Sequence, residues 1–229
     1  MRALDVGSGH NPVQKSGWQE KGDVDHLSFT NMDFYHPDAD IKWDFNVFPW
    51  PFDTGTFDIV FLRHTLEHVR RENLLPAMQE IHRVAKDGGY INIRVPFWNS
   101  PGWAGDPTHW SPFTEDTFSR FCYRSPMQTD HYIPHEYEFV RVEYRFAPKF
   151  VLLPKILLRE LMSIWCGVCD ELWVTLRVIK SGEPPAYNPR HIYKCNAYGV
   201  DWTKVWKQAA FYGGLFWGGL IFLATLVVR

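Results

Sequence analysis

Cysteine is scarce in this 229-residue chain: Cys122, Cys166, Cys169 and Cys195 are few and irregularly placed, which excludes a disulfide framework. Cys166 and Cys169 form a CxxC, but no second pair stands near and the neighbours are apolar (SIWCGVCDELW), which argues against a zinc or redox role. Charge of one sign is also lacking. The 24 basic residues are offset by 26 acidic ones with no basic run, so nucleic acid is excluded as a partner. No secretory signal is visible, because MRALDVGSG leads directly into structure; a reducing, cytosol-facing location is expected.

Aromatic residues are abundant instead: 11 Trp, 10 Tyr and 17 Phe. They suit a large core, a membrane interface or an apolar substrate cleft. The first 180 or so residues alternate strand-like and helix-like patterns, which predicts an α/β domain with a parallel sheet covered on both faces. Strands are expected at Arg2 to Val6, Val24 to Met32, Ile41 to Trp43, Phe57 to Leu62, Tyr90 to Val95, Val140 to Phe146 and Leu172 to Val178. FDIVFL is a continuous apolar run, as a strand buried on both faces should be. Leu74, Met78, Ile81 and Ala85 fall at helical spacing before Asp87-Gly88-Gly89. Thr114 precedes Glu115 and Asp116 as the cap of a short helix to about Phe121. Phe150 to about Trp165 is apolar and helical, either packed on the sheet or lying in a membrane interface with Lys155 and Arg159.

Beyond Lys180 the character changes. SGEPPAYNPRHIY reads as a linker, and Ala209 to Val228 is a run of twenty residues without a charge. At 1.5 Å per residue it spans about 30 Å, the thickness of a bilayer's hydrocarbon core. Trp202, Trp206, Tyr212 and Trp217 supply interfacial aromatics, and Lys204 and Lys207 place the preceding domain on the cytoplasmic side. A buried core helix or a surface-docked tail is the other reading of this run. Gly214 and Gly218 form a GxxxG through which two copies are able to pair. The expected organisation is therefore a domain over 1–182, a linker and juxtamembrane segment over 183–208 and a single transmembrane helix over 209–228.

The strongest local signal is LDVGSGHNP, residues 4–12. A buried strand enters a turn with Gly7 and Gly9, which lets backbone N–H groups approach a ligand closely. The third glycine of a dinucleotide fingerprint is missing, since Pro12 takes its place. Asp5 stands before the first glycine, where a carboxylate meets the ammonium of an amino-acid ligand better than a pyrophosphate.

DVGSG resembles the first motif of class I S-adenosylmethionine-dependent methyltransferases. MDFYHPDADIKWDFNVFPWPFDTGTFDIVFLRHTLEHV resembles the continuation found in the methyltransferase-11-like branch, and HRVAKDGGYINIRVP its post-motif helix, glycine turn and fifth strand. The resemblance covers roughly residues 1–180. It implies a Rossmann-like seven-stranded methyltransferase sheet and S-adenosyl-L-methionine as cofactor. Under it Asp5, Gly7 and Gly9 hold the methionine part, Asp33 takes the ribose hydroxyls with Asp25 as its rival, and Asp44 with the backbone of Phe45 meets the adenine. Arg63 and His64 lie under the reacting sulfonium. DPTHW, in the loop after the fifth strand, resembles a D-P-T-H of the same branch. His109 is the first candidate for base or acceptor ligand, and His64 the second.

HTLEH also matches the H-x-x-E-H of inverted zincins. It follows a buried strand directly and has no third ligand on a downstream helix, so no metal is expected. The family usually carries one or two helices ahead of the first strand, whereas this chain begins about two residues before it, which implies a more open site or closure by other means.

The expected function is methyl transfer to an oxygen of a membrane-associated small molecule, either a glycan or lipid intermediate. The alternative is a catalytically degenerate methyltransferase-fold module that binds or scaffolds at the membrane. A nicotinamide oxidoreductase is disfavoured by Pro12 and by the lack of a Tyr-x-x-x-Lys.

Overall fold

The computed structural model describes residues 1–15, 26–126, 137–150, 153–183 and 185–195. Seven strands form one sheet: β1 (Arg2–Val6), β2 (Ser28–Met32), β3 (Phe57–Arg63), β4 (Ala85–Pro96), β5 (Tyr137–Phe146), β6 (Cys169–Val178) and β7 (Arg190–Cys195). Their order is β2-β1-β3-β4-β6-β5-β7. The first four are mutually parallel. β6 runs antiparallel to β4 and to β5, and β7 lies parallel to β5. The sheet is thus mixed, not parallel throughout.

Among the described residues four α-helices accompany it: α1 (Leu74–Val84), α2 (Pro101–Ala104), α3 (Glu115–Ser119) and α4 (Lys155–Ile164). α1 buries Ala77, Met78, Ile81 and Val84, one helical stripe turned to the sheet. It ends one residue earlier than its periodicity suggests, because Ala85 already pairs with Phe57 as the first residue of β4. α3 starts at Thr114 as expected, with Thr117 Oγ1 accepting the Thr114 amide.

Among the described residues, the buried side chains of the α-helices join those of one sheet face in a single cluster that includes Leu4, Val6, Val60, Leu62, Ile91, Ile93 and Val95. The opposite face carries a small cluster of Ala3, Val13 and Phe61. Further along, that face becomes a polar ladder: Thr175 Oγ1 donates to Asn92 Oδ1, Arg94 pairs with Glu171 and Arg177 with Glu138. Among the described residues, the α-helices bury their apolar side chains on the first face, and Val13 of a 3-10 turn packs on the second.

Two strand expectations change. Ile41 makes only an isolated bridge to Met32, so Ile41 to Trp43 is not a strand. Its place in the count goes to β7, which lies in the stretch read as linker and extends the domain beyond residue 182. Asp25 and the apolar run over 209–228 lie outside the described residues. Among the described residues no helix is long and apolar enough to cross a membrane.

Candidate active site

Because β1 to β4 are parallel, their carboxyl ends share one edge, where ligands of open α/β sheets bind. The antiparallel β6 brings its own beginning to that edge, with Glu171 opposite Pro96.

At the end of β1 the chain turns on Gly7 (φ 67°) and Gly9 (φ 54°). A Cβ on Gly7 would stand 2.5 Å from Thr65 Oγ1, whereas one on Gly9 would meet nothing within 4 Å. The first glycine is therefore packed against the segment after β3, and the second faces open space. Asp5 is fully buried below the turn. Its Oδ2 accepts the Val13 amide at 2.7 Å, and its Oδ1 has no partner. Burial raises its pKa to about 6, against the pull of the Val13 hydrogen bond and the Arg63 charge. Arg63, at the end of β3, donates to the Asn11 carbonyl in the turn.

Asp33 follows β2 directly. It accepts the Gly9 amide at 2.9 Å and the Tyr35 and His36 amides at 2.8 Å each. Three of a carboxylate's roughly four acceptor positions are thereby used within the protein. Holding two ribose hydroxyls requires the Gly9 amide to let go, so the bidentate contact is not preformed. Asp44 sits in the long loop before β3 and accepts the Asn46 amide at 2.8 Å. Asn46 in turn binds the Arg70 amide and Asn73, which ties Asp44 and Phe45 to the segment that follows β3. The WPF stretch behind them is anchored on α1, with the Trp50 amide on Glu80 and Arg83 on the Trp50 and Phe52 carbonyls.

The second half of the edge is a cleft of about 500 Å³, lined by His64, Glu67, His68, Asp106, His109 and Glu171 among others. His64 has a left-handed backbone (φ 50°). Its Nδ1 lies 3.2 Å from Glu67 Oε1 and its Nε2 3.3 Å from Glu171 Oε1. Burial opposes its charge, but the two carboxylates prevail and lift its pKa to about 9. Both ring nitrogens of His64 face carboxylate oxygens, an arrangement that favours the protonated ring over a base. Glu171 also accepts from Arg94 at 2.9 and 2.8 Å and from Trp173 Nε1 at 2.9 Å. Against its burial, these donors bring it down to about 2.

His109 has only 7% of its side chain exposed. Its Nδ1 is 3.0 Å from the Trp103 carbonyl, which fixes the proton on Nδ1 and leaves the lone pair on Nε2. Asp106 orders the turn by accepting the Thr108 amide and hydroxyl. The Trp110 amide, bonded to the Glu67 carbonyl at 2.7 Å, locks this loop to the short 3-10 turn Leu66–His68. Glu67, Glu171 and Arg94 were not singled out from the sequence. Glu67 was visible only as part of HTLEH, and the other two as strand residues, since their roles depend on pairing between distant segments.

Residues 4–93 match the methyltransferase-11 family model, described as a methyltransferase domain. The fold of the chain is similar to that of an S-adenosylmethionine-dependent methyltransferase from Archaeoglobus fulgidus, with a TM-score of 0.52 and 17% identity over 77% of this chain and 85% of that one. It is likewise similar to a protein assigned as a methyltransferase from Bacillus halodurans, at 0.51 and 14% over 78% and 93%. At such identities the likeness concerns the fold. No curated protein matches the chain. What the comparisons give is a methyltransferase-domain match over residues 4–93 and a fold shared with an S-adenosylmethionine-dependent methyltransferase. The residues of the domain fit that cofactor: Gly9 opens on free space, and the unpartnered Asp5 Oδ1 keeps a negative group under the turn.

Proposed function

We propose that this methyltransferase acts on an oxygen of a small-molecule acceptor received in the cleft between His64 and His109, close to a membrane surface. The observation that carries the reading is the state of His109, a nearly buried imidazole with its Nδ1 proton on the Trp103 carbonyl and its Nε2 lone pair turned to the cleft. A hydroxyl nucleophile must lose a proton as it attacks, and such a lone pair is suited to hold the hydroxyl or take that proton.

Asp5, Gly7, Gly9, Asp33, Asp44, Phe45 and Arg63 are assigned to the cofactor, which when bound supplies an activated methyl group. The protein's part is chiefly alignment and exclusion of water. The imidazolium of His64, clamped between Glu67 and Glu171, gives the floor of the cleft a fixed arrangement.

A membrane-associated acceptor, a lipid or a lipid-linked glycan, is supported by two features. α4 buries only Leu158 and leaves Ile156 77% and Ile164 74% exposed, beside the exposed Trp165. Asn99, which leads into α2 at the cleft rim, donates to the Met162 carbonyl of α4. The uncharged run Ala209 to Val228 is assigned as the anchor, with the domain on the cytoplasmic side and Gly214 and Gly218 as a pairing surface for two copies.

The test is transfer of radiolabelled methyl from S-adenosylmethionine into membrane extracts by the full chain. Label in a lipid-extractable product, as a base-stable ether, is expected. Label confined to protein or to a water-soluble amine would refute the reading, and no label despite cofactor binding would favour a degenerate binding module.

A further inference from the structure

Glu67, His68 and His109 each offer one ligand atom, and these atoms all lie within 4.8 Å of one another. The H-x-x-E-H pattern is not used here as an inverted zincin uses it. His64 turns to Glu171, while Glu67 and His68 of the 3-10 turn meet His109 from the loop after β4. The third ligand, absent from any downstream helix, comes from DPTHW.

The proton arrangement at each residue leaves a lone pair for a cation. His109 has its Nδ1 proton on the Trp103 carbonyl, so Nε2 is the free nitrogen. His68 Nδ1 lies 3.0 Å from Thr108 Oγ1, whose own proton goes to Asp106 Oδ1 at 2.6 Å. His68 therefore donates from Nδ1 and keeps its lone pair on Nε2. Metal-bound histidines are held in just this manner, the second ring nitrogen donating to a carbonyl or, through a relay, to a carboxylate. Glu67 is fully buried; Oε1 faces the His64 ring, and Oε2 has no partner. An unpartnered buried carboxylate oxygen is costly unless a cation or donor meets it.

We propose that Glu67, His68 and His109 form a site for one divalent cation of the zinc class at the acceptor end of the cleft. Two imidazoles and a carboxylate are a ligand set that suits zinc and its neighbours, with a fourth position left for water or substrate. Donor atoms around tetrahedral zinc stand about 3.4 Å apart, so the three would draw together on binding the ion. Asp106 Oδ2, 3.7 Å from His109 Nε2, flanks the open position. The role, though not the binding, rests on the methyltransferase reading: a cation there lowers the pKa of a coordinated acceptor hydroxyl, whose proton leaves to water in the open cleft before the oxygen takes the methyl group, and His109 then acts as its ligand instead of as a base.

The experiment uses the full chain in mild detergent, stripped with chelator, then titrated with Zn²⁺ against a chromogenic competitor and with Co²⁺ in the visible range. One tightly held equivalent and the d–d absorption of a four- or five-coordinate cobalt ion are expected. His68→Ala and His109→Ala should each weaken Zn²⁺ by about 100-fold or more, and Thr108→Val by about 10-fold. His10→Ala, at the separate His10–His36 pair, should leave it unchanged. S-adenosylhomocysteine affinity, measured in parallel, should stay within about twofold in the His68, His109 and Thr108 variants. Zn²⁺ retained by both His68→Ala and His109→Ala, lost in His10→Ala, or not held by the parent chain while the nucleoside still binds would overturn the site. Failure of the methyltransferase reading would look different, with zinc held and the nucleoside not bound.

Discussion

Gly7 and Thr65 are packed so closely that a β-carbon on the glycine would stand 2.5 Å from the threonine hydroxyl oxygen, which is itself held by the Val6 carbonyl at 2.8 Å. The glycine turn after β1 is thus built against the segment after β3. Gly7→Ala carries both a positive-φ penalty and this collision, and should lower unfolding free energy by about 3 kcal/mol. Gly9→Ala carries only the first, and should cost about 1 kcal/mol. Urea unfolding of the two variants checks the difference; equal losses would mean that Thr65 does not constrain the turn.

Asp5 should leave a signature in the pH dependence of stability. Its folded pKa, about 6, is raised above the ordinary 3.8, so the folded state holds the proton more tightly than the unfolded chain. Stability from this group is greatest below pH 3.8, falls as pH rises, and levels off above about 6. The total is on the order of 3 kcal/mol. Asp5→Asn removes that decline, so unfolding curves for variant and parent should diverge between pH 4 and pH 7. The same variant should bind the cofactor more weakly, an exchange of function for stability.

Replacing His109 separates the acceptor side from the cofactor side. His109→Ala should slow methyl transfer by about 100-fold and leave S-adenosylhomocysteine affinity unchanged, as read by labelled-methyl assays and calorimetry. Loss of nucleoside binding in this variant would place His109 at the cofactor instead.

Much of this was legible in the sequence because it is local. The apolar runs of β1, β3 and β4, the glycine turn, the cap at Thr114 and the DPTH loop are all set by neighbours within a few residues. What escaped depends on distant pairing. β7 is a short edge strand behind a proline-rich stretch, and only its register on β5 makes it a strand. Ile41 to Trp43 has strand composition, yet finds a single bridge. The second carboxylate beside His64 comes from Glu171, on a strand whose antiparallel direction no periodicity reveals.

The central claim is that this chain binds S-adenosylmethionine at the turn between Asp5 and Asp33. The most direct test is calorimetry on the full chain in mild detergent, with S-adenosylmethionine, S-adenosylhomocysteine and NADH as ligands and Asp33→Ala alongside. Micromolar binding of both sulfur ligands is predicted, at least about tenfold weaker in the variant, with no heat from NADH. A folded chain that takes up neither sulfur ligand, or that prefers NADH, would contradict the account.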